Sequence, residues 1–366
     1  MPDMESPRFD DLLRIRAGDQ DLTMGYSPSR IETIRTLRQW RLKAEALREI
    51  LWSTMGRRPE GIECEPDVAV VAQEDRGAYV ERRIEYSVEP DERIDAYVLV
   101  PMGLRKPVPG VLCLHPTTRL GKEQTVGREP TPAGRDRAYA AHLAERGYVT
   151  FAYDLMSAGK RRFPRRREFD TEPFYARHPE WSARGKDLWD AARALDVLAS
   201  LREVDPERLG SIGHSQGGGI TLHLAAVDER VRAAVSSCGK CPQRMSRNPY
   251  SACRTGWWVG RPALRPYCLT GKHFPIDMHE CLALAAPRAV LVIQAVNDFK
   301  YALEEQELFR AGFGDMMRNV EKVYALHRSE DRVRCILHQR GHGFEAEQRE
   351  AAYAFLDEML GVRADA

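Results

Sequence analysis

The sequence carries almost no net charge, because its 366 residues contain 55 lysines and arginines against 54 aspartates and glutamates, which leaves +1. Proteins that bind nucleic acid usually present a basic surface, so this balance predicts no nucleic-acid partner. The chain also lacks an apolar run long enough to cross a bilayer, and it lacks an apolar N-terminal segment. We therefore expect a cytoplasmic protein without a membrane partner.

Cysteine pairs with the spacing of a metal site are also scarce. The eight cysteines include one C-x-x-C, Cys238 to Cys241, and no second C-x-x-C follows it. A zinc site that adds Cys253 and Cys268 is the alternative, but reduced thiols that pack as small apolar side chains are the default in the cytosol. We predict neither a metal ion nor any other cofactor.

The sequence does contain the pattern G-H-S-Q-G at residues 213–217. It ends an apolar strand that begins at Leu209, and a small-residue helix, Ile220 to Ala226, follows it. A serine at a sharp strand-to-helix turn needs a glycine two residues away on each side, and its hydroxyl then projects above the sheet. The alternative is a glycine-rich turn with an incidental serine. The pattern predicts that Ser215 is a nucleophile, which needs a base to take its proton.

The partners of such a serine are expected later in the chain, first an acid and then a histidine. The apolar strand Ala289 to Gln294 runs toward Asp298, and the strand Val333 to Leu337 runs toward His342. We predict that His342 acts as the general base and that Asp298 orients its imidazole. The alternative to His342 is His338, and the alternative to Asp298 is Asp331.

An oxyanion hole is expected at the loop after the strand Pro109 to Leu114. In this arrangement one backbone N–H comes from that loop and the other from the residue after the nucleophile. Pro116 has no N–H, so Thr117 and Gln216 are the candidates. His115, at the start of the same loop, is predicted to contact the substrate.

Helices and strands alternate along most of the chain, which predicts an α/β fold on a mostly parallel, doubly wound sheet. The segments Ala78 to Val88 and Ile94 to Val100 predict an antiparallel hairpin that opens the sheet. Before it, apolar residues at helical spacing predict a helical extension over Ser29 to Gly56. This extension would cover the active site, form the contact of a homodimer, or simply pack on the core. We place it in residues 1–62 and the α/β domain in 63–366.

Two insertions interrupt the predicted α/β domain, at about 157–181 and 239–274. The first is rich in arginine, which could hold an anionic substrate group by bidentate hydrogen bonds or form a solvated face. The second is rich in aromatic residues, which could line a substrate pocket or pack the insertion itself. The substrate contacts predicted in these insertions are Arg161, Arg162, Trp257 and Trp258.

Several motifs together resemble a known superfamily. They are H-P-T-T at 115–118, E-R-G-Y-V at 145–149, the run from Glu203 through the serine pattern to Gly218, and G-H-G-F at 341–344. These resemble the α/β-hydrolases, and among them bacterial esterases of the dienelactone hydrolase and acetylxylan esterase type. The segment Pro275 to Arg288 is similar to one that such esterases, and glucuronoyl esterases, carry before the strand that bears the acid. The resemblance covers about residues 80 to 362.

The resemblance implies an α/β-hydrolase fold and a serine hydrolase that works through an acyl-enzyme intermediate without a cofactor. Dienelactone hydrolases use a cysteine nucleophile where this chain has Ser215, so a lactone substrate is not implied. We expect a carboxylic ester hydrolase that acts on a small-molecule ester. A C–C bond hydrolase or an acyltransferase would use the same three residues. A non-catalytic, ligand-binding α/β-hydrolase is disfavoured because no member of the triad is missing.

Overall fold

The computed structural model describes residues 9, 11–15, 32–129, 131–239, 241–246, 248–253, 256–299 and 305–361. Its strands are β1 (Arg14–Ile15), β2 (Glu32–Thr33), β3 (Ala69–Asp75), β4 (Tyr79–Glu89), β5 (Glu92–Pro101), β6 (Val108–Leu114), β7 (Val149–Tyr153), β8 (Val204–His214), β9 (Val231–Ser237), β10 (Ala289–Ala295) and β11 (Val333–His338). Its helices are α1 (Leu37–Thr54), α2 (Lys122–Thr125), α3 (Pro132–Arg135), α4 (Tyr139–Glu145), α5 (Glu172–Arg177), α6 (Ala183–Ser200), α7 (Gln216–Val227), α8 (Arg265–Thr270), α9 (Met278–Ala285), α10 (Gln306–Leu326) and α11 (Ala346–Leu360).

One nine-stranded sheet organises the chain, in the order β11-β10-β9-β8-β6-β7-β5-β4-β3. The strands from β6 to β11 pair in parallel, whereas β3, β4 and β5 pair antiparallel at one side. Parallel strands need crossover helices, and these cover both faces of the sheet. The predicted α/β architecture and the predicted hairpin, which is β4 and β5, are confirmed.

Strands β7 and β10 are buried at every position, and β6 at every position after its first, because helices cover both faces of the sheet, so their residues are mostly apolar rather than alternating. In β6, Leu112 belongs to a core shared with α1, α6, α7, α9 and α10, while Val111 belongs to a second core shared with α4 and α11. The parallel strands therefore end together at one edge of a rigid, double-sided core. The loops at that edge include those that follow Leu114, His214, Ala295 and His338.

The N-terminal extension contains one long helix, shorter than the predicted segment. Helix α1 begins at Leu37 because Thr36 accepts a hydrogen bond from the Gln39 N–H, and the Gln39 side chain accepts one from the Thr36 N–H. Residues 29–31 of the predicted segment lie outside the described residues. Trp40, Leu47 and Leu51 bury the inner face of α1 in the main core. Of the three roles left open, packing on the core is the one these contacts support.

The two predicted insertions contact one another. The Thr171 N–H donates to the Trp257 carbonyl at 2.7 Å, and the Tyr175 hydroxyl donates to the Val259 carbonyl at 3.0 Å. The first insertion contains α5 and the second contains α8 with short helical turns. We call the two together the cap. Within the described part of the chain, no helix combines the length and the apolar character that crossing a membrane requires.

Candidate active site

Ser215 lies at a sharp turn between β8 and α7, with backbone angles φ 55° and ψ −115°. This left-handed conformation is strained for a serine, and its N–H donates to the Ser237 carbonyl at 2.8 Å. A Cβ on Gly217 would lie 2.0 Å from the Leu114 carbonyl oxygen, and one on Gly213 would lie 2.3 Å from the Gly217 backbone. Both glycines of the pattern are therefore sterically required at this turn.

A continuous chain of hydrogen bonds joins the serine to the predicted histidine and acid. The Ser215 Oγ lies 2.8 Å from His342 Nε2, and His342 Nδ1 lies 2.7 Å from Asp298 Oδ2. Ser215 is 4% exposed and Asp298 is 1% exposed. The three residues follow β8, β10 and β11, whose carboxyl ends share one edge of the sheet. Of the alternatives, His338 accepts from the Arg340 N–H at 3.2 Å, and Asp331 lies in the short turn before β11.

The surroundings keep other groups near the triad uncharged. His214 stacks on Phe344 at 5.8 Å between ring centroids, and burial, followed by the charge of His342, holds its pKa well below the usual range. Burial and the nearby Asp298 raise the pKa of the Cys238 thiol to about 12. Neither group competes with His342 for a proton near neutral pH.

The cysteine spacing does not produce a separate metal site in the described residues. The only cluster of three such donors there is Cys238, Asp298 and His342, whose donor atoms lie within 4.8 Å of each other. Two of the three are held in the triad hydrogen bonds, and the thiol keeps its proton, so this donor set does not fit a metal ion. Cys253 and Cys268 contact each other through sulfur atoms 3.7 Å apart.

The two candidates for the oxyanion hole lie next to each other. Gln216 is the first residue of α7, where a backbone N–H has no acceptor inside the helix. The Thr117 hydroxyl donates to Gln216 Oε1 at 3.3 Å, which joins the loop after β6 to the start of α7. Among the hydrogen bonds of the described residues, neither the Thr117 N–H nor the Gln216 N–H has an acceptor.

The structure does not support the prediction that His115 contacts the substrate. The ring is fully buried, Nδ1 donates to the Pro116 carbonyl at 2.6 Å, and Nε2 accepts from the Leu155 N–H at 2.9 Å. Burial lowers the pKa of His115, which fits this neutral form. The Nε2 contact ties the loop after β6 to the segment after β7, whereas the Nδ1 contact lies within the loop itself.

A second link holds the same loop, between Lys122 and Asp154. The Lys122 Nζ lies 2.6 Å from Asp154 Oδ2, and the Lys122 N–H donates to Asp154 Oδ1 at 2.8 Å. Gly121 has φ 55°, and a Cβ there would lie 2.0 Å from Asp154 Oδ1. The carboxylate is thus bound directly against the backbone that carries Thr117.

The arginines of the first insertion do not reach a substrate site. Arg161 is paired with Glu92 at 2.7 Å and Asp190 at 2.8 Å, and its side chain is 9% exposed. Both carboxylates already neutralise it, so the structure does not support the prediction that it binds substrate. Arg162 is exposed and pairs with Glu168 at 3.1 Å, as a solvated face would. Its prediction as a substrate contact is also not supported.

The two tryptophans of the second insertion have different positions. Trp257 is 46% exposed and carries the Arg167 guanidinium over its ring at 4.2 Å. Trp258 stacks on Phe169 with 4.8 Å between the ring centroids. It lines a cavity whose wall also includes Thr117 and Gln216. We call this the cap cavity. Further residues of its wall are Arg184, His223, Arg261, Phe274, Ile276, Asp277 and Met278.

Two family models match parts of the chain. The model of the acetyl xylan esterases matches residues 186–239, which include the serine turn. The model of the Abhydrolase family matches residues 25–174, which include the loop after β6. Asp298 and His342 lie outside both matched segments.

Individual proteins agree with these models. The chain is 26% identical over 322 residues to "Putative hydrolase YtaP" of Bacillus subtilis (strain 168), covering 87% of this chain and 99% of that protein. It is 26% identical over 144 residues to "Carbohydrate esterase MZ0003" of an unknown prokaryotic organism, covering 37% of this chain and only 33% of that protein.

Solved structures show the same fold. A glucuronoyl esterase from Solibacter usitatus has a TM-score of 0.71 at 19% identity, covering 97% of this chain and 98% of that chain. An acetyl xylan esterase structure from Bacteroides fragilis NCTC 9343, titled as putative, has a TM-score of 0.59 at 19% identity over 83% of this chain and 75% of that one. The α/β-hydrolase fold implied by the sequence motifs is confirmed.

Proposed function

We propose that this chain, an α/β-hydrolase of the acetylxylan esterase-like type and a carboxylic ester hydrolase, cleaves its ester through an acyl-enzyme on Ser215. The observation that carries the proposal is the chain of two short hydrogen bonds from Ser215 through His342 to Asp298. A serine hydroxyl is a weak nucleophile until a base within hydrogen-bond reach takes its proton, and this geometry supplies that base.

In the first half of the reaction, Ser215 Oγ attacks the ester carbonyl carbon while its proton passes to His342 Nε2. The carbonyl oxygen becomes an oxyanion, which the N–H groups of Gln216 and Thr117 are placed to bind. Asp298 accepts the hydrogen bond of the His342 Nδ1 proton and stabilises the imidazolium. The bond to the alcohol oxygen then breaks, and His342 gives the proton to that oxygen. The alcohol leaves and the acyl group stays on Ser215.

In the second half, water takes the place of the alcohol. His342 removes a proton from the water, whose oxygen attacks the acyl carbon, and the Ser215 Oγ leaves with the proton that His342 returns. The products are one carboxylic acid and one alcohol for each ester and water consumed. No oxidant, reductant or metal enters the balance.

Replacing the nucleophile tests the proposal. The Ser215→Ala variant should lose about 10⁴-fold or more of kcat on p-nitrophenyl acetate, because the group that forms the acyl-enzyme is gone. A fluorophosphonate that reacts with activated serines should label the native protein and not this variant. Ser53→Ala, at an exposed serine of α1, is the matched control and should keep both properties. Full turnover by Ser215→Ala would refute the mechanism.

A further inference from the structure

Arg261 is a buried cation without a carboxylate partner, and it lines the cap cavity. It is 3% exposed, and its one side-chain hydrogen bond reaches Thr54 Oγ1 at 3.4 Å, near the limit for such a bond. No aspartate or glutamate among the described residues forms an ion pair with it. Burial lowers the pKa of the Arg261 guanidinium to about 10, so it remains protonated at neutral pH.

The other buried lysines and arginines of the described residues are well compensated, including Arg349, which contacts Asp136 and the Phe344 carbonyl. Lys122 lies within 2.8 Å of two carboxylates, and Lys186 within 2.8 Å of three. Arg288 donates to four backbone carbonyls. Since an uncompensated charge in the interior costs several kcal/mol, a buried arginine without such partners marks a place where an anion is expected.

A second guanidinium reinforces the positive charge in the same cavity. Arg184 also lines the wall, and its charge contributes to lowering the pKa of Arg261. Its carboxylate contact is Asp187 at 3.4 Å, which also accepts the Met156 N–H. The one carboxylate on the wall, Asp277, is occupied by the N–H groups of its neighbours in sequence and space, Met278 and Gln243.

We propose that the cap cavity binds a carboxylate carried by the ester substrate, with Arg261 as its main partner and Arg184 as a second positive charge. The proposal rests on the proposed function, because the candidate oxyanion donors Thr117 and Gln216 are part of the cavity wall. The substrate class is therefore an ester that also carries a free carboxylate, on either its acyl or its alcohol part.

The chemistry of the cavity favours a carboxylate over larger or more highly charged anions. A guanidinium matches the planar carboxylate by two parallel hydrogen bonds. The rest of the wall is partly apolar, with Trp258, Phe274 and Met278, which suits the short carbon chain or ring between the ester and the anion. Asp277 would repel a dianion more strongly than a single carboxylate.

Matched ester pairs test the proposal and locate the carboxylate. For the acyl part, the mono-p-nitrophenyl ester of fumarate is compared with p-nitrophenyl crotonate, in which a methyl group replaces the carboxylate. For the alcohol part, para-acetoxybenzoate is compared with phenyl acetate. The quantity measured is the ratio of kcat/KM for the carboxylated ester to that for its neutral partner. The intrinsic reactivities of the two esters are the same for every variant, so they cancel when the ratio is compared between variants.

Substitutions of Arg261 should act on this ratio. Arg261→Met should lower it about tenfold or more in one of the two pairs, and Arg261→Lys should restore part of the loss. Arg162→Met, which removes the same charge from an exposed arginine, should leave both ratios unchanged. Arg261→Met should also not lower Tm, because an uncompensated buried charge is replaced by an apolar chain of similar length. A large fall in Tm would assign Arg261 a structural role.

Direct binding separates this proposal from the proposed function. Calorimetry with the Ser215→Ala protein should detect binding of free fumarate or of para-hydroxybenzoate, which the additional Arg261→Met substitution removes. If the native protein cleaves no ester, the proposed function fails while this binding still supports the carboxylate site. Equal loss of both esters of a pair in Arg261→Met, or absence of binding of both acids, would overturn the carboxylate site.

Discussion

At the scale of single residues, a buried acid next to the cap cavity couples stability to pH. Burial, with the nearby Asp190, raises the pKa of the Asp187 carboxyl from 3.8 to about 6 against the opposing effect of Arg184. An acid whose pKa is higher in the folded than in the unfolded chain takes up protons on folding. This acid therefore adds its full contribution to the free energy of unfolding below about pH 4, and the contribution is lost as pH rises through about 6.

We predict that Asp187→Asn removes this pH dependence. The amide oxygen can still accept the Met156 N–H that Asp187 accepts at 3.1 Å, but the amide cannot lose a proton. The free energy of unfolding of the variant, relative to the native protein, should increase by about 2–3 kcal/mol between pH 4 and pH 7, as a shift of about two pKa units implies. Urea unfolding across this pH range measures it. Parallel stability curves for the two proteins would contradict the prediction, and Asp67→Asn, at an exposed carboxyl, is the control.

At the scale of elements, the turn between β8 and α7 is fixed by contact with β6. Gly217, in the first turn of α7, lies so close to the Leu114 carbonyl that an added Cβ would be 2.0 Å from its oxygen. The start of α7 cannot move away, because the small residues of this helix pack against β6, β8 and β9. The position of Ser215 is thus set by steric fit between three elements.

We predict that Gly217→Ala destabilises the fold by about 3 kcal/mol or more, because backbone atoms must shift to admit the methyl group. Gly314→Ala, within α10, is the matched control. Its added methyl group would meet only the flexible end of Arg318 at 3.4 Å, and alanine is the better helix former, so stability should rise by about 0.5–1 kcal/mol. Urea denaturation of both variants measures the difference, and equal effects would show that the close contact does not restrict this turn.

The sequence predicts most of the parallel sheet and the order of the triad. Strand β10 is almost entirely apolar and the half of β8 from Leu209 onward is buried, because both faces of the sheet are covered, and that pattern is visible without a structure. Asp298 and His342 follow such runs directly, so placing them at one edge needed only the parallel pairing. The predictions of a cytoplasmic location, of a homodimer and of the domain boundary at residue 62 stay predictions.

The failures of sequence reasoning involve partners far apart in the chain. Arg161 is neutralised by Glu92, which lies 69 residues earlier, and no local pattern shows that pairing. His115 is held by the Leu155 N–H, 40 residues later. The strand β3 was not predicted because it is an edge strand that is exposed at every position and has no alternation of apolar and polar residues. For Arg261 the informative fact is that no carboxylate of the described residues pairs with it, which only the structure reveals.

At the scale of the whole molecule, a buried network of charges connects three parts of the fold. Lys186 of α6 contacts Glu89 of β4 at 2.5 Å, Glu92 of β5 at 2.6 Å and Asp190 at 2.8 Å. Arg161 of the first insertion pairs with two of these carboxylates, Glu92 and Asp190. The antiparallel hairpin, the crossover helix and the cap therefore depend on one another through desolvated charges.

We predict that Lys186→Met destabilises the protein by about 3–5 kcal/mol, because it leaves buried carboxylates with a single cation. Arg57→Met is the matched control, since Arg57 and Glu180 form an exposed pair with side chains 77% and 61% exposed, and its loss should leave stability almost unchanged. Chemical denaturation monitored by tryptophan fluorescence measures both. A Lys186→Met protein as stable as the control variant would show that the network does not hold these parts together.

The contact between the two halves of the cap has a consequence for transplanting specificity between related proteins. Thr171 makes two hydrogen bonds to the second insertion. Its N–H donates to the Trp257 carbonyl, and its hydroxyl oxygen accepts from the Val259 N–H at 2.9 Å. A chimaera that exchanges residues 157–181 alone would leave these groups facing a foreign surface. Both insertions, which lie about 60 residues apart in the sequence, must therefore be exchanged together, whereas the strands between them can be kept from the original protein.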